Sequence, residues 1–259
     1  MVDEEQASGK GESLLVRKAI AVLRLFGGNV KSLGLQDVVA ATGYSKTVCH
    51  RLLSTLVRER FLVQFQGTAR YSLGPDLITL ARSNLSHEGL LVSAEPALSS
   101  IARQTGDVAI LYVLDGVSAL CIDRRDGDYP IRTAGVAIGG RLPLHCGGGP
   151  MALLSFAPAD VVNRVLEGAL EAATPRTEVN PDRIRHRIEQ VRERGYAIGD
   201  EDLFEFVVAI GAPVFYRGNL VAALSVGGIK PRYDRQRIEE VGRLALASAE
   251  EVARRLDGE

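Results

Sequence analysis

Residues 33–56 read LGLQDVVAATGYSKTVCHRLLSTL. Leu35, Val38 and Val39 recur at helical spacing, so the first part of this stretch predicts a helix with one apolar stripe. Ala40 and Ala41 are small enough to let a second helix approach closely. Gly43 can take the left-handed conformation just past a helix end, and Ser45 suits the N-cap of the next one. On that next helix Val48, Leu52, Leu53 and Leu56 face inward. Lys46, Thr47, Cys49, His50, Arg51 and Ser54 remain outside or on the flanks, with Ser45 at the start. A buried face joined to a polar, cationic face on the second helix of a tight pair is the geometry of a major-groove reader. The plainer alternative is a helical pair whose outer face is merely solvated.

Charge separates these readings. The 259 residues carry a net charge of −1, unevenly distributed. Residues 13–83 hold ten Lys and Arg against three acids, whereas residues 84–259 hold twenty against twenty-five. A basic segment joined to a larger acidic one points to a polyanion-binding module attached to something else. The start, MVDEEQASGKGE, is acidic and polar and has no apolar signal core, so residues 1–12 read as a disordered tail. No stretch has the length and apolarity of a membrane span. Cys49, Cys121 and Cys146 are too few and too scattered for a disulfide framework or zinc finger, which implies a reducing, cytoplasmic setting.

Around the central stretch, residues 13–26 (SLLVRKAIAVLRLF) predict an amphipathic helix, stopped by Gly27-Gly28-Asn29. Residues 61–65 and 70–73 predict two short strands, so helix, helix-turn-helix and hairpin follow in the order of a winged helix. Thr68 and Arg70 on this wing are placed to reach a phosphate or a minor groove. Domain boundaries are expected at 13–75 for this module, 76–89 for a linker helix and 90–259 for a second domain. The second domain predicts a helix over 90–105, strands at 108–114, 117–123 and 131–134, and helices over 151–156 and 158–170. A charged helix over 181–194, a strand at 196–198, a hairpin of 207–215 with 220–226, and a helix over 235–256 follow. Antiparallel strand pairs with inserted helices indicate an α+β domain around a central sheet.

Residues 142–150, LPLHCGGGP, are the most unusual of that domain. A glycine run enters a helix with Pro150 in its first turn, and free N–H groups there attract carboxylates and phosphates. His145-Cys146 suggests a nucleophile, but neighbours in an extended segment point apart, and no third group is at hand to orient the base. His145, Cys146 and Cys121 lack metal-motif spacing, and Asp200-Glu201-Asp202 reads as a solvated charge run. No metal, cofactor or catalytic residue is therefore expected. Phe204, Phe206, Val207 and Ala209 lead into a strand beside the one holding Ser225. With the glycine run they would suit a small, partly apolar acid, although Val207 reads better as core.

The chain resembles the IclR family of transcriptional regulators over residues 14–256. The matching segments are TGYSK (42–46), HRLLSTL (50–56) and RYSLG (70–74), then GGRLPLH (139–145), ALL (152–154), RERGYA (192–197), APV (212–214) and AALSV (222–226). The resemblance implies a winged helix-turn-helix, a linker helix and a GAF-like α/β effector-binding domain, without catalysis. It implies homodimers, often paired into tetramers, on palindromic operators in double-stranded DNA. It also implies a small organic acid effector over Gly148 and Gly149 and against Ala209 and Ser225. This chain departs from the family pattern in four places. Met151 stands where a lysine is usual, Ala209 where a cysteine is frequent, Gly199 where an acid is frequent, and Phe204-Glu205-Phe206 where a Glu-Pro-Gly turn is usual. Fewer polar groups and two added phenylalanines favour a larger, more apolar effector, an aromatic acid. Repression is the expected mode. The alternative is an enzyme with an attached DNA-binding domain that uses the His145-Cys146-glycine loop. A third reading is a protein-interaction module whose winged helix no longer binds DNA.

Overall fold

A computed structural model describes residues 13–27, 30, 32–65, 67–83, 85–130 and 136–258. The expected N-terminal tail, part of the first helix stop and the expected strand at 131–134 lie outside the described residues. The chain divides into two compact units, residues 1–85 and 86–259.

The first unit holds α1 (Leu14–Arg24), β1 (Leu33–Gly34), α2 (Leu35–Thr42), α3 (Lys46–Arg58), β2 (Leu62–Gln64), β3 (Arg70–Leu73) and α4 (Pro75–Ser83). Gly43 ends α2 at φ 68°, a conformation in which a side chain is strained. Its N–H still closes on Val39 O at 2.9 Å, so the chain turns within three residues. Ser45 Oγ then accepts from Val48 N at 3.4 Å and caps α3. Val22 and Phe26, Val38 of α2, Leu52, Leu53 and Leu56 of α3, and Leu62 and Tyr71 of the hairpin form one core. The small sheet has the order β1-β3-β2, all antiparallel. Strand β1 was not foreseen, because two residues carry no alternation to read.

The second unit is a three-layer sandwich. It holds α5 (Leu85–Thr105), β4 (Val108–Asp115), β5 (Ser118–Arg125), β6 (Arg141–Pro143), α6 (Gly148–Phe156) and α7 (Ala159–Glu167). There follow α8 (Pro181–Arg194), β7 (Ala197–Asp200), β8 (Val207–Tyr216), β9 (Asn219–Ile229) and α9 (Arg235–Leu256). The strands form one antiparallel sheet in the order β6-β5-β4-β9-β8-β7. Alternation sorts its two faces. Leu111, Val113, Val208, Ile210, Leu224 and Val226 pack with Leu98 and Ile101 of α5 and Val241, Ala245 and Val252 of α9. Ile110, Tyr112 and Cys121 turn the other way, onto Met151 and Leu154 of α6, Val161 and Val165 of α7, and Ile184 and Ile188 of α8. α5 begins five residues before its expected start and runs through Pro96. Strand β6, which sequence reading missed, pairs its three residues with Ser118, Ala119 and Leu120.

Candidate DNA-reading surface and effector cavity

On α3 the structure exposes Lys46, Thr47, His50, Arg51 and Ser54, with Ser45 exposed just before them. Two cations and a histidine within six residues share one side of a helix whose other side is core. Cys49 is a correction. It is fully buried, with Sγ donating to Tyr44 O at 3.7 Å, so it anchors the turn and offers nothing to a groove. Val48, read as inward, is only half-buried: the 3.6-residue period puts Cys49, Leu52, Leu53 and Leu56 on one face, and Val48 lies about 100° round from Cys49, at its edge.

The wing carries Thr68 and Arg70, both exposed. Arg70 is not extended toward solvent. Its Nε donates to Ser32 Oγ at 2.9 Å, its Nη2 donates to Ser32 O at 2.7 Å, and Asp37 Oδ2 lies 3.6 Å away. The arginine thus ties β3 to the start of α2 and leaves Thr68, held to Phe65 O at 3.5 Å, nearer the wing tip.

In the second unit a small cavity of about 40 Å³ lies between the sheet and the start of α6. Its wall comprises Val108, Ile110, Tyr112, Val136, Gly147, Gly148, Gly149, Pro150, Gly199, Asp202, Leu203, Phe204, Val207, Ala209, Ser225 and Gly227. Its mostly apolar lining, with a few polar groups, is the composition of a site for a small organic molecule. The structure brings Gly148, Gly149, Phe204, Ala209 and Ser225 together here, as well as Val207, which sequence reading assigned to core. Ser225 reaches the cavity because it alternates with Leu224 and Val226, which face the opposite layer.

Two expected site residues lie elsewhere. Met151 is fully buried among α6, α7 and α8 residues, one turn past the cavity mouth. Phe206 is 70 % exposed, at φ 61°, because its N–H is bonded to Glu201 Oε1 and its carbonyl to Lys230 N, which turns the ring outward.

The glycine run has a packing cause. A Cβ on Gly148 would lie 2.6 Å from the carbonyl oxygen of Ala209, and one on Gly149 would lie 2.5 Å from the Tyr112 ring. Helix α6 can begin flush against β8 and β9 only because these positions lack side chains. Gly147, as N-cap, offers no side chain to the first turn of α6, and this helix start lines the cavity.

Asp202 is the residue that sequence reading most misjudged. Expected in a solvated charge run, it is 4 % exposed and lines the cavity. Its Oδ1 accepts from Gly147 N at 3.0 Å. Arg187 Nη2 lies 2.7 Å from Oδ2 and also donates to Ile198 O, but no hydrogen-bond donor is aligned on Oδ2. Thr177 Oγ1 donates to Asp202 O and Thr174 Oγ1 to Glu201 O, each at 2.6 Å, which fixes the loop. These partners lie 15 (Arg187) to 55 (Gly147) residues away in sequence, and no local spacing could have shown them.

The His145-Cys146 pair does not form a catalytic dyad. His145 Nε2 lies 3.0 Å from Glu171 O, beside a separate depression of about 400 Å³. Cys146 is buried, and desolvation, with the nearby Asp202 charge, pushes its thiol up to about 12. Burial likewise pushes Cys121 up to about 11. Among the described residues, no group of three or more His, Cys, Asp or Glu side chains converges to hold a metal ion. No helix among them is long and apolar enough to cross a membrane.

A winged helix-turn-helix joined to a sheet domain with a largely apolar cavity is the architecture of a ligand-responsive DNA-binding regulator. The comparisons name the family. Residues 15–65 match the IclR helix-turn-helix domain, and residues 82–254 match the bacterial transcriptional regulator IclR C-terminal domain. The chain belongs to the IclR family of transcriptional regulators. It is 31 % identical over 225 residues to the glycerol operon regulatory protein of Streptomyces coelicolor, covering 85 % of this chain and 87 % of that one. It is 27 % identical to the transcriptional repressor IclR of Escherichia coli, covering 95 % and 90 %. Among solved structures, an IclR homologue of Microbacterium hydrocarbonoxydans complexed with 4-hydroxybenzoate shares the fold at a TM-score of 0.83 and 21 % identity, over 95 % of this chain and 100 % of that one. These matches give no support to the enzyme alternative.

Proposed function

We propose that this regulator represses transcription from a palindromic operator as a homodimer, or as a pair of dimers, and releases it when a small aromatic acid enters the cavity of the second unit. The observation that carries the effector reading is that cavity. Its wall is almost wholly apolar, is crossed by a helix start, and includes Phe204, Ala209 and Ser225. The bound 4-hydroxybenzoate of the Microbacterium homologue supports an aromatic acid. Lys46, Thr47, His50, Arg51 and Ser54 contact the major groove, with Ser45 at the helix start and Thr68 on the wing at the backbone. Arg70 positions the wing rather than reaching DNA. A twofold operator follows from pairing two such helices on one face of the duplex. The buried, protonated thiol of Cys146 and the diverging His145 support a protein without catalysis, working in the cytoplasm.

The effector acts only if it binds the DNA-competent and DNA-incompetent arrangements unequally. Fluorescence anisotropy of a labelled operator duplex, titrated with 4-hydroxybenzoate, tests this. The expected result is release of DNA at saturating acid. Tight binding of glyoxylate or pyruvate, with no binding of aromatic acids, would overturn the effector class.

A further inference from the structure

Three polar side chains stand in the wall of the cavity, those of Tyr112, Asp202 and Ser225. Asp202 is already held, by Gly147 N at 3.0 Å and Arg187 at 2.7 Å. The two hydroxyls are not. Tyr112 is 4 % exposed and Ser225 5 %, and among the described residues neither side chain has a hydrogen-bond partner. Nor is either oxygen sealed off, because the only sealed side-chain atom without a partner among the described residues is Asp202 Oδ2. Each hydroxyl therefore meets open space at the cavity its residue lines. Buried hydroxyls are ordinarily bonded, and two without partners in one wall mark a place where a bound group supplies the bond.

Their placement says what kind of group. Ser225 of β9 pairs with Ile110, which shares one side of β4 with Tyr112, so both hydroxyl residues belong to one face of the sheet. Both also crowd the first turn of α6: a Cβ on Gly149 would lie 2.5 Å from the Tyr112 ring and 2.9 Å from Ser225 Cβ. A helix start carries partial positive charge. Burial pushes the Tyr112 hydroxyl up from its ordinary value, so it stays protonated and donates. Two donors beside a positive helix end favour an anionic acceptor. The 40 Å³ of the cavity holds a group the size of about three waters, which is room for a carboxylate.

We infer that the Tyr112 hydroxyl is an effector contact: it donates to the carboxylate of the bound acid, with Ser225 as the second donor. The inference rests on the cavity being the effector site. It brings Tyr112 into that site and turns the acid end of the ligand toward β4 and β9.

Calorimetric titration of the full chain with 4-hydroxybenzoate and with its neutral amide, 4-hydroxybenzamide, tests it in the wild type and in Tyr112→Phe. The substitution removes one oxygen and keeps the ring that packs on Gly149. The wild type is expected to bind the acid at least about tenfold more tightly than the amide. In Tyr112→Phe, affinity for the acid is expected to fall about tenfold or more, and affinity for the amide less than about threefold. Unchanged affinity for the acid in a folded Tyr112→Phe, or an equal loss for acid and amide, overturns the inference and leaves the aromatic-acid reading intact. If the variant does not fold, the wild-type ratio decides, and equal affinity for the two probes overturns the inference. Failure of the wild type to bind either probe overturns the inference and the effector reading together.

Discussion

Replacing Gly148 by alanine tests whether the glycine run exists for packing or for loop freedom. The added Cβ would lie 2.6 Å from both C and O of Ala209 and 2.8 Å from C of Ile210. All three are backbone atoms of β8, a strand paired on both edges, so none can rotate aside. Overpacking of this kind costs about 1–3 kcal/mol. Alanine recovers up to about 1 kcal/mol of helix propensity, and less than that in a first turn. The expected net loss is therefore about 2 kcal/mol, which for a unit of this size lowers the melting temperature by roughly 4–8 °C. Gly89→Ala is the matched control. Gly89 lies inside α5, where a Cβ would meet only Leu256 at 4.0 Å, so propensity acts unopposed and the melting temperature rises. Calorimetry of both variants beside the wild type, read on the transition of the second unit, compares them directly. Equal stabilisation by the two substitutions would refute the packing explanation, and Gly147–Gly149 would then be a loose loop.

Arg51→Ala is expected to weaken operator binding by about 1–3 kcal/mol while changing non-specific binding far less, if the guanidinium meets a guanine edge; equal loss on both duplexes in a gel-shift titration would make it a phosphate contact only. Arg70→Ala is expected to loosen the wing through loss of the Ser32 and Asp37 contacts, seen as faster amide exchange across β1 and β3, and unchanged exchange would contradict the tether. Native Cys146 should resist alkylation at pH 8, its rate rising about tenfold per pH unit without a plateau near pH 9, because the thiol is pushed up to about 12 and only the thiolate reacts. Fast labelling of the folded protein at neutral pH, read by peptide mass, would restore the nucleophile reading.

Much of the first unit was legible because local chemistry controls it. The left-handed turn at Gly43, the cap at Ser45 and the burial of Leu52, Leu53 and Leu56 are all short-range, and each stands as read. Cys49 failed because its polarity was read ahead of its spacing: it stands three, four and seven residues before Leu52, Leu53 and Leu56, the buried stripe of α3. In the second unit the long strands and helices announced themselves by alternation and length. The cavity wall did not, since it is assembled from strand positions facing one side and from loops without a period. Tyr112 was hidden in the apolar run 108–114, although counting alternate positions from Leu111 would have placed it on the cavity face. Met151 and Phe206 were assigned from their places in the family pattern, where a lysine and a turn are usual. Helix rotation carries the first into the core, and a left-handed backbone turns the second outward. Asp202 depends on Gly147 and Arg187, contacts that form only when the whole domain closes.

The central claim is that α3 reads a specific duplex through its exposed cationic face. Selection of the full chain against a random double-stranded library tests it most directly, with bound sequences counted after several rounds at physiological salt. An inverted repeat enriched by the wild type, and lost when Arg51 and Lys46 are both replaced by alanine, is the predicted result. A wild-type pool that stays random, or the same motif recovered by the double variant, would contradict the assignment of α3 as the reading helix.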